Sequence, residues 1–248
     1  MQLSSPFCPS DRVNLARNGD SFTCSKCGRV YPLKNGIVDF LTSLPLTDVQ
    51  RVVQTTFDSA ADTYDNAIVR LVESLSCPWS VYTGRLEAFM RTAGGKVILD
   101  VGCGTSFPVV SFLPQTSIYL GMDISLGMLG HAKSLLGDNL NAALWNIDVE
   151  RIPLPDTCVD VCLALMAFNV FPSPQKAAEE IQRTLRKDGS VFGTAFIQAP
   201  PEEILSESPI EPHTMKEVLS VFDPASWELS LETQGGILFF SVSKIDKS

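Results

Sequence analysis

The sequence predicts an α/β protein: a doubly wound, seven-stranded sheet, mostly parallel, that ends in an antiparallel C-terminal hairpin and is preceded by a small cysteine-bearing module. Three observations carry this. Short apolar runs alternate with helical patterns from residue 96 onward, the first of those runs stops at a glycine-rich turn, and three of the seven cysteines fall within residues 1–45. Strands separated by helices require crossover connections and so a parallel sheet, whereas two runs joined by a glycine turn form a hairpin.

The N-terminal stretch, residues 1–45, carries five basic residues (Arg12, Arg17, Lys26, Arg29, Lys34) against three acidic ones (Asp11, Asp20, Asp39), a local charge of +2 in a chain whose formal charge is −9. Residues 46–93 read as a helical lid on the domain that spans 46–248. Val49, Val52, Val53, Phe57, Ala60, Ala61 and Tyr64 recur at helical spacing and predict one apolar face, and Leu86, Phe89 and Met90 mark a later helix that ends before Gly94-Gly95. The predicted strands are Lys96–Val101, Ser117–Met122, Ala142–Ile147, Val159–Leu165 and Ser190–Ile197. Between them, Ser125 is a plausible N-cap, and Ser173-Pro174 opens a helix that Asp188-Gly189 should stop. Thr214–Phe222 reads as a last helix before the hairpin, Trp227–Thr233 with Ile237–Ile245.

Composition narrows the partners. With 45% hydrophobic and 19% charged residues the chain is ordinarily globular, and a charge of −9 argues against nucleic acid or an anionic membrane as the main partner. No apolar run reaches the ~18 residues of a membrane span, and MQLSSPFCPSD lacks the basic and apolar regions of a secretory signal. A cytoplasmic protein acting on a small molecule is expected, with clustered cysteines reading as a metal site rather than as disulfides.

The glycine-rich turn is Asp100-Val101-Gly102-Cys103-Gly104-Thr105-Ser106, at the carboxyl edge of the predicted sheet, where open α/β sheets bind ligands. A dinucleotide fingerprint would need a third glycine where Phe107 stands, and Asp100 would repel a pyrophosphate. A positively charged ligand suits this turn better. Asp123 closes the second strand, where it can take two ribose hydroxyls, and Asp148 follows the third, placed to accept from an exocyclic amine.

VILDVGCGTS, GMDIS, NIDVERIPLPDTCVDVCLAL and IQRTLRKDGSVFG, in that order, resemble the successive motifs of class I S-adenosylmethionine (SAM)-dependent methyltransferases. FDSAADTYDN resembles the segment preceding the first strand in the ubiquinone/menaquinone-type branch. The resemblance implies a Rossmann-like fold and the cofactor SAM. It implies that Gly102 and Gly104 line the methionine portion near Asp100, that Asp123 and Ile124 meet the ribose, and that Asp148 and the Val149 backbone read adenine. Ala164 and Leu165 would flank the amino-acid end, and Tyr64 would cover the carboxylate. Ser106 stands where relatives have a small glycine and Asp188 where they have proline. Gly127 and Gly130 fall inside a predicted helix without an evident role.

Cys8-Pro9-Ser10-Asp11 and Cys24-Ser25-Lys26-Cys27-Gly28, followed by YPLKNGIVDFL, resemble the two knuckles and following strand of small zinc-ribbon modules. A Cys8, Asp11, Cys24, Cys27 zinc site, zinc completed by water or another ligand, and a ribbon that has lost its metal all fit this pattern. Catalytic candidates are few. His213, in the loop after the fifth strand, is the candidate general base, and Asn169 is the one amide on the apolar segment after the fourth strand, where many relatives carry His-His. The leading expectation is in-line methyl transfer from SAM to a small metabolite. Alternatives are an rRNA methyltransferase docking through the ribbon, non-methylating chemistry on SAM (cyclisation or aminocarboxypropyl transfer), and SAM binding without turnover.

Overall fold

A computed structural model describes residues 5–138, 141–199, 220, 222 and 227–244. Its centre is a parallel block: β5 (Val97–Val101), β6 (Ile118–Asp123), β7 (Ala142–Asn146) and β8 (Val159–Leu165), joined on its far side by β9 (Leu185–Phe196). β10 (Trp227–Gln234) and β11 (Ile237–Lys244) form the antiparallel hairpin, and β11 inserts between β9 and β10. All five residues of β5 are buried, as a central parallel strand covered on both faces requires. The two hydrophobic clusters of the core lie around Leu99–Trp145–Phe240 and around Ile98–Leu144–Phe239, neighbouring residues on β5, β7 and β11 and hence on opposite faces.

The sheet does not stop at seven strands. β1 (Ala16–Asn18), β2 (Ser21–Thr23), β3 (Val30–Lys34) and β4 (Ile37–Asp39) extend it to eleven, in the order β1-β2-β3-β4-β7-β6-β5-β8-β9-β11-β10. β4 runs parallel to β7, with Val38 opposite Trp145 and Asp39 opposite Asn146. Its three residues are all buried, so the N-terminal segment covers an edge that would otherwise present unpaired backbone groups. Tyr31 packs on Phe40 at 4.9 Å between ring centroids, and Phe40 meets Trp145 edge-on at 6.3 Å. Arg12 adds an ion pair to Glu180, 2.8 Å, reaching the helix beyond β8.

Five α-helices surround the sheet among the described residues: α1 (Asp48–Ala60), α2 (Tyr64–Ser74), α3 (Trp79–Met90), α4 (Leu126–Leu136) and α5 (Pro174–Thr184). Thr47 and Gln50 form a reciprocal capping box at the start of α1, and Ser125 caps α4 by accepting from the Met128 backbone. The predicted apolar stripe holds only in part: Val53, Phe57, Ala60 and Tyr64 are half-buried and Ala61 is buried, but its first turn is not inward. Val49 and Val52 are 61% and 53% exposed, whereas Gln50 is buried. The helix docks through polar side chains, described below, and periodicity of apolar residues does not register that kind of docking. α5 also ends earlier than Asp188-Gly189. Thr184 turns its hydroxyl back onto the Glu180 and Ile181 carbonyls while its own carbonyl accepts from Cys158 N at the start of β8. The pairing then jumps from Val159↔Leu185 to Val161↔Ser190, leaving Arg186–Gly189 as a bulge within β9. Most of the expected helix Thr214–Phe222 lies outside the described residues. Among the described residues no helix is long and apolar enough to cross a membrane.

Candidate functional site

A cavity of about 600 Å³ opens at the carboxyl ends of β5, β6, β7 and β8, under a roof made by α1 and α2. Its floor is the turn after β5. Gly102 and Gly104 have φ of +67° and +53°, a left-handed backbone that favours glycine. A Cβ on Gly102 would stand 3.0 Å from that of Ala167, and one on Gly104 would stand 3.4 Å from the Tyr64 ring. The turn can therefore present bare backbone to a ligand, with Tyr64 above it.

Asp123 ends β6 inside this cavity. Its two oxygens accept from Gly104 N and Ser125 N, each at 2.8 Å, which ties the turn after β5 to the start of α4. Burial pushes its carboxyl up to about 6, against these two backbone donors. Asp148 follows β7 and also lines the cavity. It accepts from Glu150 N at 3.1 Å, and burial raises its carboxyl. Ile124, Val149 and Leu165 complete the lining expected from the sequence.

Three expected residues sit elsewhere. Ala164 is fully buried within β8 and does not line the cavity. Asp100 lies beneath the glycine turn, lining a smaller adjoining pocket, where it accepts from Tyr119 OH at 2.7 Å and burial pushes its carboxyl up to about 7. Asn169 is also buried and away from the cavity lining. Its amide donates to Phe196 O and accepts from Phe196 N, both at 3.0 Å, so both polar ends are used in pinning the turn after β8 to the end of β9. The Asn169 amide is thus engaged with backbone on both its oxygen and its nitrogen. His213 lies outside the described residues. His131, the other histidine, pairs with Asp62 at 3.0 Å on the exposed side of α4.

Sequence reasoning missed the polar underside of α1. Gln50 donates to Asp148 at 2.7 Å, Gln54 to the Ile124 carbonyl at 2.9 Å, and Asp58 accepts from Ser125 Oγ and Gly127 N at 2.6 and 2.9 Å. These contacts explain Gly127: a Cβ there would lie 3.2 Å from Asp58 O and 3.3 Å from Ala61 Cβ, so the glycine lets α1 rest on the first turn of α4. The only local signal was Thr47-x-x-Gln50, a capping-box pattern that also fixes where the Gln50 amide points.

The cysteines gather as expected. The ligand atoms of Cys8, Asp11, Cys24 and Cys27 all lie within 4.8 Å of one another. Cys8 Sγ is 3.8 Å from Cys27 Sγ and 3.5 Å from Asp11 Oδ2, and Cys24 Sγ is 3.4 Å from that oxygen. The Lys26 and Cys27 amides donate to Cys24 Sγ, the turn geometry of a Cys-x2-Cys knuckle, and Tyr31 OH closes the cluster from inside at 3.5 Å from Cys8 Sγ.

Comparison with known proteins agrees with this architecture. A family profile for the methyltransferase domain matches residues 99–193. An uncharacterized chloroplastic methyltransferase of Arabidopsis thaliana is 29% identical over 220 residues, covering 78% of this chain and 62% of that protein. The malonyl-[acyl-carrier protein] O-methyltransferase of Yersinia pestis is 27% identical over 168 residues, covering 64% of this chain and 56% of its own. The chain thus spans less than two thirds of the length of either relative. In fold it is similar to a SAM-dependent methyltransferase from Aquifex aeolicus, with a TM-score of 0.56 at 17% identity, covering 81% of this chain and all of that one. A chain from the complex of the Haloferax volcanii Trm112 methyltransferase activator with its methyltransferase partner superposes with a TM-score of 0.60 at 17% identity, covering 76% of this chain and 97% of that one. With the glycine turn and strand-end carboxylates in place, residues 99–193 match the methyltransferase domain family, and the chain resembles SAM-dependent methyltransferases in fold.

Proposed function

We propose that this protein transfers the methyl group of SAM to a small molecule. The observation that carries the reading is the placement of two carboxylates, Asp123 and Asp148, at successive strand ends around one cavity whose floor is the glycine turn. In this reading Gly102 and Gly104 lie along the methionine portion, Asp123 accepts from the ribose hydroxyls beside Ile124, and Asp148 with the Val149 backbone recognises adenine. Leu165 flanks the amino-acid end, backed by the buried Ala164, and Tyr64 closes over the carboxylate. Asp100 lies beneath the turn, held there by the Tyr119 hydroxyl. When bound, SAM supplies an already activated electrophile, so the protein's own task is alignment and water exclusion. Orientation of this kind can supply ~7–11 kcal/mol. The named activity of the Yersinia relative, methylation of an acyl group on a carrier protein, and the net charge of −9 support a small acceptor group over nucleic acid. Residues 46–93, which bring α1 and α2 over the cavity, act as its lid.

In the same reading residues 1–45 are a zinc module. A tetrahedral zinc held at ~2.3 Å by sulfur and ~2.0 Å by oxygen separates two sulfurs by ~3.8 Å and a sulfur from the oxygen by ~3.5 Å. The Cys8–Cys27, Cys8–Asp11 and Cys24–Asp11 distances are close to these values, and all four ligand atoms lie within 4.8 Å of one another. Zinc there would be structural, holding the turns that present β3 and β4 to the sheet edge. Free thiols in such a cluster suit the reducing cytoplasm.

Titration calorimetry with SAM and with its demethylated product, S-adenosylhomocysteine, tests the cofactor assignment. Saturable one-to-one binding of both is expected. Binding of neither to the folded full chain would overturn it.

A further inference from the structure

The cofactor assignment accounts for the charged side of the cavity and leaves the opposite side to the acceptor. That side is built from Ile68 and Leu71 of α2, from Val170, Phe171 and Pro172 after β8, and from Phe196 at the end of β9. Phe171 faces the glycine turn directly: its ring atoms lie 3.5 and 3.7 Å from where a Gly102 Cβ would be. Phe168 supports it edge-on at 5.3 Å between ring centroids. An acceptor body lying against Phe171 is therefore next to the methionine portion of the cofactor.

Charge narrows the acceptor further. Among the described residues that line the cavity, Asp123 and Asp148 are the only ones with ionisable acidic or basic side chains other than Tyr64, and no Lys, Arg or His is present. Bound SAM brings one net positive charge against these two carboxylates, and the demethylated product brings none. An anionic acceptor would thus enter a site with a negative balance and no cation to hold it, at the cost of its hydration. The sequence between β9 and β10 holds no surplus of cations either: it carries Glu202, Glu203, Glu207, Glu211, Glu217 and Asp223 against Lys216 and His213. The Yersinia relative acts, by its name, on a malonyl group, whose free carboxylate is an anion. The described cavity wall of this chain offers hydroxyls but no cationic side chain to pair with one.

We propose, resting on the cofactor assignment above, that the acceptor is an uncharged small molecule with a predominantly apolar body packed against Phe171, and not a carboxylate, phosphate ester or nucleotide.

The test uses the full chain saturated with S-adenosylhomocysteine and three probes of one shape, 2-naphthol, 2-naphthoate and 2-naphthyl phosphate, titrated at pH 7.5. The neutral naphthol is expected to bind at least about tenfold more tightly than either anion. Ala67→Lys, on the partly exposed face of α2 that borders the cavity, should shrink that gap while S-adenosylhomocysteine affinity is retained. Val170→Lys is the second variant should the first not fold. Anions binding as tightly as naphthol, no naphthol binding at millimolar concentration, or a gap unchanged by the introduced lysine would overturn the proposal. Failure of S-adenosylhomocysteine itself to bind would instead remove the cofactor assignment, so the two failures are distinguishable.

Discussion

Asp123→Asn separates the charge of this side chain from its shape. In the native protein each carboxylate oxygen accepts one backbone N–H at 2.8 Å, from Gly104 and from Ser125. The asparagine can keep one of these and turns an NH2 toward the other, at a cost of about 1–3 kcal/mol. Against this, burial holds the native carboxyl at about 6 rather than 3.8. A carboxyl raised in the folded state stabilises the fold most below its unfolded value, and that contribution is lost as pH rises through about 4 to 6. By pH 7 the buried charge costs about 3 kcal/mol. Removing the charge therefore offsets the lost hydrogen bond, and the variant should remain folded at neutral pH with stability near that of the wild type. Cofactor binding has no such compensation. Loss of a charged acceptor for the ribose hydroxyls should weaken SAM by about 1–3 kcal/mol, or about 5–150-fold in Kd. Because Asp123 must be ionised to accept both hydroxyls, wild-type affinity should fall on acidification through about pH 6, whereas the variant loses that step. Calorimetry from pH 5 to 8 reads both effects. Unchanged SAM affinity in the folded variant, or a wild-type profile flat through pH 6, would refute the assignment of Asp123.

The zinc reading predicts about one equivalent of metal in the purified full chain by elemental analysis, and faster amide exchange in residues 1–45 before the remainder after chelation. Metal near zero with that segment still protected would favour a ribbon without zinc. His213→Ala should leave SAM affinity and, for an acceptor that attacks without losing a proton first, turnover largely intact. A loss of ~10²–10⁴-fold, with the pH profile moved away from the imidazole range, would make His213 the general base. Gly127→Val should push α1 away from α4, because the new side chain meets the Asp58 backbone and Ala61. Faster amide exchange across Asp48–Ala60 and weaker SAM binding are the expected readings, and unchanged exchange there would mean that α1 tolerates the intrusion.

Much of the sheet and the cavity floor was legible because their causes are local. Val97–Val101 is an apolar run stopped by a glycine turn, and Asp123 and Asp148 stand at or just after strand ends that periodicity marks within a residue or two. What escaped depends on contacts far apart in sequence. Gln50 and Asp148 are 98 positions apart, and Asp58 and Gly127 are 69 apart, so nothing near α1 announces that its docking face is polar. For this reason Val49 and Val52 face outward, although Val53, Phe57 and Ala60 of the same stripe do line the cavity. Asn169 looked like a lone amide on an apolar segment, yet its partner is the Phe196 backbone 27 residues on. The sheet continued past seven strands because Ile37–Asp39, three residues long, finds β7 across more than a hundred residues. A run that short has too little periodicity to declare a strand.

In the proposed reaction SAM donates its methyl group and nothing else. The most direct measurement is to incubate the full chain with SAM carrying a labelled methyl, in a pool of neutral apolar metabolites, and to follow both halves of the cofactor by mass spectrometry. S-adenosylhomocysteine should accumulate in step with a neutral product that carries the label. Methylthioadenosine retaining the label, or bound SAM that is never consumed, would contradict it.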